Sequence, residues 1–357
     1  MSATGAVGGG VLSDFDYGLP PELIAQHPPN KRGDSRLLHL PADGPAHHLH
    51  FRDLPDLLRA GDLLVMNDTR VIPARIRFEH RGRDAEILLL ERAGNPDTWD
   101  ALLRPAKRFV PGVRVQLRFG LWADVLQQEP GGERRLRFSP PGRLGQLLPQ
   151  IGEMPLPPYI HERLDDPERY QTVVARDPGS AAAPTAGLHF TEEMLTTLTA
   201  AGLARTELTL SVGLDTFQPV RAADLDDHRM HSEAYTVSPR ARAEIDACRA
   251  RGGRLVAVGT TVARALEAAA VKRESGDPRP DAGRTDIFIR PGHAFREVDL
   301  LLTNFHLPKS TLLVLVSAFS GRERILAAYE DAVRRRYRFF SFGDAMLLEP
   351  AVSMRRG

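Results

Sequence analysis

Several polar segments of the chain place histidine, threonine or asparagine beside glycine or proline, without the periodicity of a packed helix or strand. One such segment runs from Pro184 to Thr191 and contains Gly187, His189 and Phe190. A glycine lets a ligand approach the backbone closely, and Thr191 can cap a helix whose first amides suit a carboxylate. The alternative is a capped helix entrance with no other role. We favour a ligand site, because loop segments commonly carry binding residues.

Two further segments stand where a strand gives way to a loop or a helix. Asn304-Phe305-His306 follows an apolar run, the position at which α/β proteins often place ligand groups, unless Pro308 only sets a structural turn there. Val258-Gly259-Thr260-Thr261 is typical of a strand-to-helix turn that binds an anion or a ribose, but it lacks the full glycine-rich fingerprint of a nucleotide site. Taken alone, each segment is a weak indication of function.

A metal site is the weaker hypothesis for the remaining histidines. His228 and His231 are three residues apart and could share one face of a helix. A zinc ion would need a third ligand, and Glu233 is the nearest candidate. Hydrogen bonding, catalysis or a plain structural role explains the pair more simply, so no metal and no other cofactor is predicted.

Charge is balanced over the whole chain, with a formal net charge of +1. Contact with a nucleic acid therefore needs a local basic patch. The segment 334–340 combines arginines with aromatic rings, which suits phosphate contact and base stacking, although such a run is more often a solvated helix face. Together with a second basic group, it supplies the predicted RNA-contacting residues Arg104, Lys107, Arg108, Arg334, Arg335, Arg336 and Arg338.

The cysteine count and the absence of targeting or membrane-spanning segments indicate the cellular compartment of the protein. Cys248 is the single cysteine, so an intrachain disulfide is excluded and a reducing compartment is expected. The first eleven residues have no signal-peptide signature, and no stretch is apolar enough to span a bilayer. We expect a cytoplasmic protein.

Two patterns of secondary structure must position these segments. Short alternating stretches separated by turn residues recur between Arg75 and Phe138, which predicts a small antiparallel barrel or sandwich. Apolar runs alternate with capped helical patterns on either side, which predicts a layered α/β domain. We therefore expect a disordered tail over 1–12, a discontinuous α/β domain over 13–74 and 139–357, and an inserted β-barrel-like domain over 75–138.

Seven distinctive segments, in series and with similar spacing, resemble the tRNA ribosyltransferase-isomerase family. They are Asn67 to Arg75, Gly152 to Ile160, Ala183 to Thr191, Val212 to Glu233, Val258 to Thr261, Thr303 to Thr311 and Tyr337 to Met346. The resemblance implies an α/β domain with an inserted β-barrel. It implies S-adenosylmethionine as ribosyl donor and co-substrate. It also implies an acceptor tRNA with a GUN anticodon that carries 7-aminomethyl-7-deazaguanine at the wobble position, and epoxyqueuosine as product. We expect the protein to be a monomer.

The chemistry implied by the resemblance assigns candidate roles to residues of these segments. Its candidate bases are His189, His306, His231, Glu233 and Asp344. Its candidate hydrogen-bonding groups are Asn67, Thr69, Thr185, Thr260, Thr261, Asn304 and Ser310, with Gly187 allowing close approach. Its candidate stacking rings are Phe190, Phe305 and Phe340, and its candidate partners for a carboxylate or phosphate are Arg70 and Arg264.

One segment departs from the family pattern. Ser211 stands where the family usually has histidine, so no catalytic role is carried over to that position, and Asp215 replaces a glycine. Two other classes of function remain open. A SAM-dependent RNA methyltransferase would be expected to show a glycine-rich loop after an early strand, which is absent, and a non-catalytic RNA-binding protein would be expected to carry more lysine and a larger net charge.

Overall fold

The computed structural model describes residues 10–129, 131–162, 164–213, 224–230 and 232–352. The strands in these ranges are Arg36–Leu40 (β1), His47–His50 (β2), Leu63–Asn67 (β3), Thr69–Val71 (β4), Arg75–His80 (β5), Arg83–Arg92 (β6), Thr98–Arg104 (β7), Arg114–Gln116 (β8), Trp122–Gln128 (β9), Arg134–Ser139 (β10), Gly152–Glu153 (β11), Asp177–Ser180 (β12), Ala204–Leu210 (β13), Glu233–Thr236 (β14), Leu255–Val258 (β15), Ala282–Thr285 (β16), Leu300–Asn304 (β17) and Ala345–Leu348 (β18). The α-helices are Arg143–Ile151 (α1), Glu192–Ala200 (α2), Pro239–Ala250 (α3), Thr260–Glu274 (α4), Thr311–Ser320 (α5) and Arg322–Arg334 (α6).

The main sheet has nine strands in the order β16-β14-β13-β3-β15-β17-β18-β1-β2. Its central strands β13, β3, β15 and β17 run parallel to one another, whereas β17 and β18 are antiparallel. The carboxyl ends of the parallel strands therefore meet at one edge of the sheet, where ligand sites of α/β proteins commonly lie.

Apolar side chains cover both faces of the central strands. Along β3, Leu63 and Val65 belong to one core cluster, while Leu64 and Met66 belong to the cluster on the other face. Helices α3 to α6 contribute to the first cluster and α2 to the second. A strand that is buried on both faces needs a continuous apolar run, which explains the run at 63–66.

The helix start predicted from Thr191 is confirmed for α2, and Ser238 caps α3 in the same way. The side chains of Thr191 and Ser238 accept hydrogen bonds from the amides of Met194 and Ala241, respectively. A side-chain acceptor satisfies one of the amides that the first turn of a helix leaves unpaired. Glycines with positive φ follow the two helices at positions 202 and 252.

The second sheet is antiparallel, in the order β11-β5-β6-β7-β10-β9-β8. It confirms the alternating strands predicted between residues 75 and 138, but not closure into a barrel, because no ladder joins its end strands β11 and β8 in the described ranges. We call it the curled sheet. Its apolar cluster includes Leu136 and Trp99, and it also takes in Leu144, Leu147, Leu148 and Ile151 of α1, beyond the predicted segment.

Two chain segments connect the curled sheet to the main sheet, and they pass each other very closely. A Cβ atom on Gly152 would lie 1.9 Å from the carbonyl oxygen of Pro73 and 2.8 Å from that of Leu148. Both neighbours are backbone atoms that cannot turn aside, so the crossing requires glycine at this position. The Gln171 side chain further ties the first connection, bonding both the amide and the carbonyl of Val71.

Other expectations concern the ends of the chain and the membrane. Leu12 is buried at the start of a short 3-10 helix, Leu12–Phe15, so the predicted tail includes at least one packed residue, and residues 1–9 lie outside the described ranges. In the described part of the chain, no helix combines the length and the apolar character needed to cross a bilayer.

Candidate functional site

A cleft opens at the edge of the main sheet where the parallel strands β13, β15 and β17 end. The cleft is narrow and partly open, with a cavity volume of about 50 Å³. Much of its wall comes from the sequence candidates, which supply Thr185, Thr260, Thr261, Asn304, Phe305, His306 and Phe340. Segments more than a hundred residues apart in the chain thus meet at one place.

Hydrogen bonds fix the polar groups on one wall of the cleft. The Thr185 hydroxyl donates to Oδ1 of Asn304 at 3.1 Å. The side-chain Nδ2 of Asn304 donates to the carbonyl of Phe340 at 3.2 Å and to Nε2 of His189 at 3.1 Å. Nδ1 of His189 lies 2.7 Å from Oγ of Ser35. This Ser35–His189–Asn304–Thr185 chain connects the buried interior to the cleft surface.

His189 is a neutral ring held behind the cleft. Since its Nε2 accepts from Asn304, the ring proton lies on Nδ1 and is donated to Ser35. Burial, with the nearby positive charges of Arg338 and Arg32, lowers the pKa of His189 to about 4. The ring also stacks on Phe51, with centroids 5.1 Å apart. With both nitrogens engaged, His189 positions Asn304 in this structure and is not placed as a free base.

His306 differs from His189 because it lines the cleft directly. Its Nε2 lies 3.1 Å from the Thr303 hydroxyl, and no hydrogen bond to Nδ1 occurs among the described residues. Its backbone is held on both sides, since its amide donates to the Tyr329 hydroxyl and its carbonyl accepts from the Tyr17 hydroxyl. Burial lowers the pKa of His306 to about 3, so the ring is neutral at pH 7.

The opposite wall is the start of α4. Gly259, with φ of +101°, turns the chain from β15 into the helix and brings Thr260 and Thr261 to the cleft. One turn later, Arg264 forms a buried ion pair with Glu233 and donates from Nε to the carbonyl of Ile287. The Glu233 carboxylate is therefore already matched by a positive charge, and neither member of the pair is among the cleft-lining residues.

Phe340 and Tyr159 connect the cleft with the proline-rich segment 152–160. Phe340 has φ of +75°, a left-handed conformation that is costly for a bulky residue. Tyr159 packs edge-on against it, with ring centroids 4.1 Å apart, and bonds the hydroxyl of the cleft-lining Ser341. Sequence analysis gave Tyr159 no role, although its segment was among the seven that carried the family resemblance.

Several candidates serve the interior rather than the cleft. Asn67 bonds both the carbonyl and the amide of Leu210 and holds the amide of Thr69. Asp344 accepts from the backbone amides of Arg36 and Arg338 and pairs with the Arg36 guanidinium. These side chains are buried and saturated with local partners, so the structure does not present them to a ligand.

The expected stacking roles of two phenylalanines conflict with their burial. Phe190 is 0% exposed and packs edge-on against Phe51. Phe305 is likewise 0% exposed, and its ring lies among Tyr329, Tyr337 and Phe339. Both rings belong to the hydrophobic core in this structure, because aromatic residues in a polar segment can as easily anchor a loop as face a ligand.

The remaining candidates are scattered. A Cβ on Gly187 would lie 2.8 Å from the Thr172 methyl group, so this glycine permits close packing within the protein. Ser310 caps α5 through the amide of Leu313. Arg70 pairs with Glu168 in a separate open cleft. His231 lies outside the described residues.

The two basic groups differ in how their charges are held. Arg104, Lys107 and Arg108 are exposed at the end of β7 and in the short helix that follows. Arg334 and Arg335 both pair with Asp331, at 3.0 and 2.9 Å, and Arg336 is exposed. Arg338 is half-buried and donates to the carbonyl of His27. Within the described residues, no three histidine, cysteine or acidic side chains are arranged to hold a metal ion.

Comparisons with known proteins found matches over nearly the whole chain. A family model described as "Queuosine biosynthesis protein" matches residues 12–348. An S-adenosylmethionine:tRNA ribosyltransferase-isomerase of Symbiobacterium thermophilum is 55% identical over 341 residues, covering 94% of this chain and 99% of the relative. One of Anaeromyxobacter sp. strain Fw109-5 is 54% identical over 346 residues, covering 95% and 99%.

A solved structure has the same fold. The crystal structure of S-adenosylmethionine tRNA ribosyltransferase from Thermotoga maritima superposes with a TM-score of 0.53 at 38% identity, covering 94% of this chain and 99% of that one. The resemblance noted in the sequence is thereby confirmed. The chain belongs to the queuosine biosynthesis protein family, the transferase family of the S-adenosylmethionine:tRNA ribosyltransferase-isomerases.

Proposed function

We propose that the protein transfers the ribosyl unit of S-adenosylmethionine to the amine of 7-aminomethyl-7-deazaguanine at the wobble position of a tRNA with a GUN anticodon. The ribosyl unit is isomerised to the epoxide-bearing cyclopentane of epoxyqueuosine, and adenine and methionine are released. The observation that carries this proposal is the cleft. Its walls combine the hydroxyls of Thr185, Thr260 and Thr261, the amide of Asn304 and the neutral imidazole of His306.

The reaction needs a proton acceptor more than it needs a cofactor. An alkyl amine has an ordinary pKa of about 10, so the acceptor amine must lose a proton before it attacks. The donor is already activated, because its sulfonium acidifies the neighbouring C5′ hydrogens and leaves as the neutral thioether of methionine. We accordingly assign no metal and no other cofactor, with S-adenosylmethionine as co-substrate.

His306 is the proton-transfer residue that we favour. It is the candidate base that lines the cleft, and its Nδ1 has no hydrogen-bond partner among the described residues. The ring is unprotonated at neutral pH, but the low pKa makes it a weak base, so the assignment rests on its position in the cleft and on its Nδ1, which is unbonded in the described part of the chain. His189 has the supporting role of orienting Asn304, whose Oδ1 in turn receives the Thr185 hydroxyl.

The tRNA is proposed to reach the cleft with its wobble base splayed from the anticodon loop. Arg104, Lys107 and Arg108 on the curled sheet, and Arg334 to Arg338 near the cleft, are the proposed phosphate contacts. We further propose that residues 75–138 act as an inserted β-barrel-like domain on the layered α/β domain formed by 13–74 and 139–357. The separate apolar cluster of the curled sheet supports a distinct unit here, but it also includes Leu144 to Ile151 of α1, beyond residue 138. A monomer in the cytoplasm is the proposed working state.

The test is an analysis of what leaves the enzyme. The protein is incubated with S-adenosylmethionine and a tRNA carrying the aminomethyl-deazaguanine base, and the small molecules are separated. Methionine and adenine should appear in equal amounts, one of each per modified tRNA. A carbon label in the ribose should move to the RNA, and a label in the methyl group should stay with methionine.

The same experiment separates the alternative functions. S-adenosylhomocysteine together with methyl label on the RNA would identify a methyltransferase and overturn the proposal. Tight tRNA binding with neither product would identify a binding protein.

A further inference from the structure

The start of α4, like the starts of α1 and α6, follows a glycine and lacks the side-chain cap that α2, α3 and α5 have. The side chains of Thr191, Ser238 and Ser310 each accept a hydrogen bond from an amide in the first turn of α2, α3 and α5. Gly259, at the corresponding position of α4, has no side chain to do so. The first amides of this helix therefore point away from it without an acceptor in the described part of the chain, and they carry the positive end of its dipole.

A second, independent observation lies beside these amides. Thr261 is only 8% exposed and lines the cleft, yet its Oγ1 is buried with no hydrogen-bond partner among the described residues. This oxygen is 3.5 Å from the position that a Cβ on Gly259 would occupy, so it lies at the mouth of the helix. A buried hydroxyl without a partner is costly, which indicates that a ligand completes it.

Arg264, one turn further along α4, has a spare donor as well. It is 4% exposed, with Nη1 bonded to Glu233 and Nε to the carbonyl of Ile287, while Nη2 is buried without a partner among the described residues. Glu233 balances the charge of Arg264. Because Arg264 is not among the cleft-lining residues, the attraction for a ligand at this end of the cleft comes from the helix amides and the Thr261 hydroxyl.

We propose that the start of α4, with Gly259, Thr260 and Thr261, is a subsite for one anionic oxyacid group of the substrate. This inference rests on the proposed function, which supplies two groups of this chemistry. One is the carboxylate of the methionine part of S-adenosylmethionine, and the other is a phosphate of the tRNA beside the wobble nucleotide. The carboxylate fits better, because it ends a slender chain that can reach buried donors, whereas a phosphodiester is flanked by two sugars.

The test measures binding rather than turnover, so that it stands apart from the product analysis. Equilibrium dialysis compares S-adenosylmethionine with its decarboxylated form, which keeps the sulfonium, the ribose and the adenine and lacks only the carboxylate. The protein is full length and is saturated with a tRNA that has guanine at the wobble position, so no transfer occurs. The wild type should prefer the carboxylated compound by about tenfold or more, the scale of a hydrogen bond to a charged group.

Variants of Thr261 test whether its hydroxyl causes the preference for S-adenosylmethionine over the decarboxylated form. Thr261→Val should weaken binding of S-adenosylmethionine about tenfold and leave binding of the decarboxylated form unchanged, because only the first loses a donor to its carboxylate. Thr261→Ser retains the hydroxyl and should restore the preference. Ser238→Ala, which removes the side-chain cap of α3 and lies outside the cleft-lining residues, is the matched control and should leave both affinities as in the wild type.

A parallel measurement of tRNA affinity without S-adenosylmethionine distinguishes the two sources of the anion. Weaker tRNA binding by Thr261→Val, with no change in the preference between the two small molecules, would assign the subsite to a phosphate. An equal loss for both small molecules would mean a merely structural role and would overturn the proposal. Unchanged affinities for all three ligands would overturn it too. A failure to form adenine and methionine would refute the proposed function while leaving these binding ratios measurable.

Discussion

The cleft and the curled sheet use polar side chains in opposite ways. At the cleft, Asn304 is 3% exposed, and every polar atom of its side chain is committed to Thr185, His189 or Phe340. On the curled sheet, Arg104, Lys107 and Arg108 are exposed. The interior is mainly apolar around residues such as Leu136, although the buried Arg134 donates to the carbonyl of Phe109. Polar groups with fixed partners can hold one geometry, whereas exposed long side chains can adjust to a partner.

This difference indicates a division of labour. Chemistry needs groups held to within a fraction of an ångström, and burial in a hydrogen-bonded network provides that order. Contact with a phosphate backbone needs charge at the surface and tolerates movement. We therefore expect substitutions in the cleft to change turnover and substitutions on the curled sheet to change affinity for tRNA.

The largest effect should follow from His306→Ala. Loss of the proposed proton-transfer group should lower kcat by about 10²-fold or more. His189→Ala should cost less, about tenfold, since it disturbs only the orientation of Asn304. Rates of epoxyqueuosine formation at saturating substrates measure both. The control is His80→Ala on the curled sheet, which should keep the wild-type kcat, and a larger loss in His189→Ala than in His306→Ala would reverse the assigned roles.

Next in size is the triple change of Arg104, Lys107 and Arg108 to Ala. It should weaken tRNA binding about tenfold at 0.1 M salt and reduce the slope of log K against log salt by roughly one for each lost phosphate contact. The kcat at saturating tRNA should be unchanged. Filter binding over a range of salt concentrations measures the slope, with Arg205→Ala at the start of β13 as control. If kcat falls while the slope stays constant, the contrast between the two regions is wrong.

Acid sensitivity of folding should also originate in the cleft. The pKa of His306 is about 3 in the folded protein and about 6.5 when unfolded, so the unfolded state takes up the proton first as pH falls. Stability from the neutral ring is fully present above pH 6.5 and is lost as the pH drops towards 3. His306→Asn should flatten this decline by on the order of 1 kcal/mol at pH 5, as measured by urea unfolding at pH 7 and pH 5. Parallel curves for the two proteins would contradict the burial of a neutral ring.

The smallest effect is expected from replacing Arg334, Arg335 and Arg336 with Ala. Asp331 already neutralises part of this group through its pairs with Arg334 and Arg335. Affinity for tRNA should fall only about threefold, with a smaller change in salt slope than for the curled-sheet group. A drop in affinity larger than that of the curled-sheet variant would move the main RNA contact to the neighbourhood of the cleft.

Local signals in the sequence were sufficient for many elements. The apolar runs at 63–66 and 255–258 became central strands, because strands buried on both faces must be apolar throughout. Thr191 starts α2 as expected, since capping depends on residues only two or three positions away. The segments around Thr185, Gly259 and Asn304 were correctly singled out as loops and turns, and they meet at one cleft.

Contacts between residues that are distant in the chain could not be predicted from local sequence patterns. The packing of Tyr159 on Phe340 joins positions 181 residues apart, and no local pattern encodes it. Whether Phe190 and Phe305 face a ligand or the core depends on what packs against them from other elements. The curled sheet stayed open for a related reason, since closure depends on the pairing of its first and last strands rather than on their individual sequences.

The close crossing at Gly152 bears on which RNA molecules can use both regions at once. The two connecting segments touch there, with no space for even one additional methyl group. The contact restricts movement of the two connecting segments. If an RNA binds to the curled sheet, the part of it that extends towards the cleft can therefore reach only a narrow range of distances. The effective concentration of a nucleotide at the cleft then depends on whether the ligand spans that distance, and it falls towards zero for one that does not. Under the proposed function, selection among tRNA molecules of similar sequence would then depend on their dimensions.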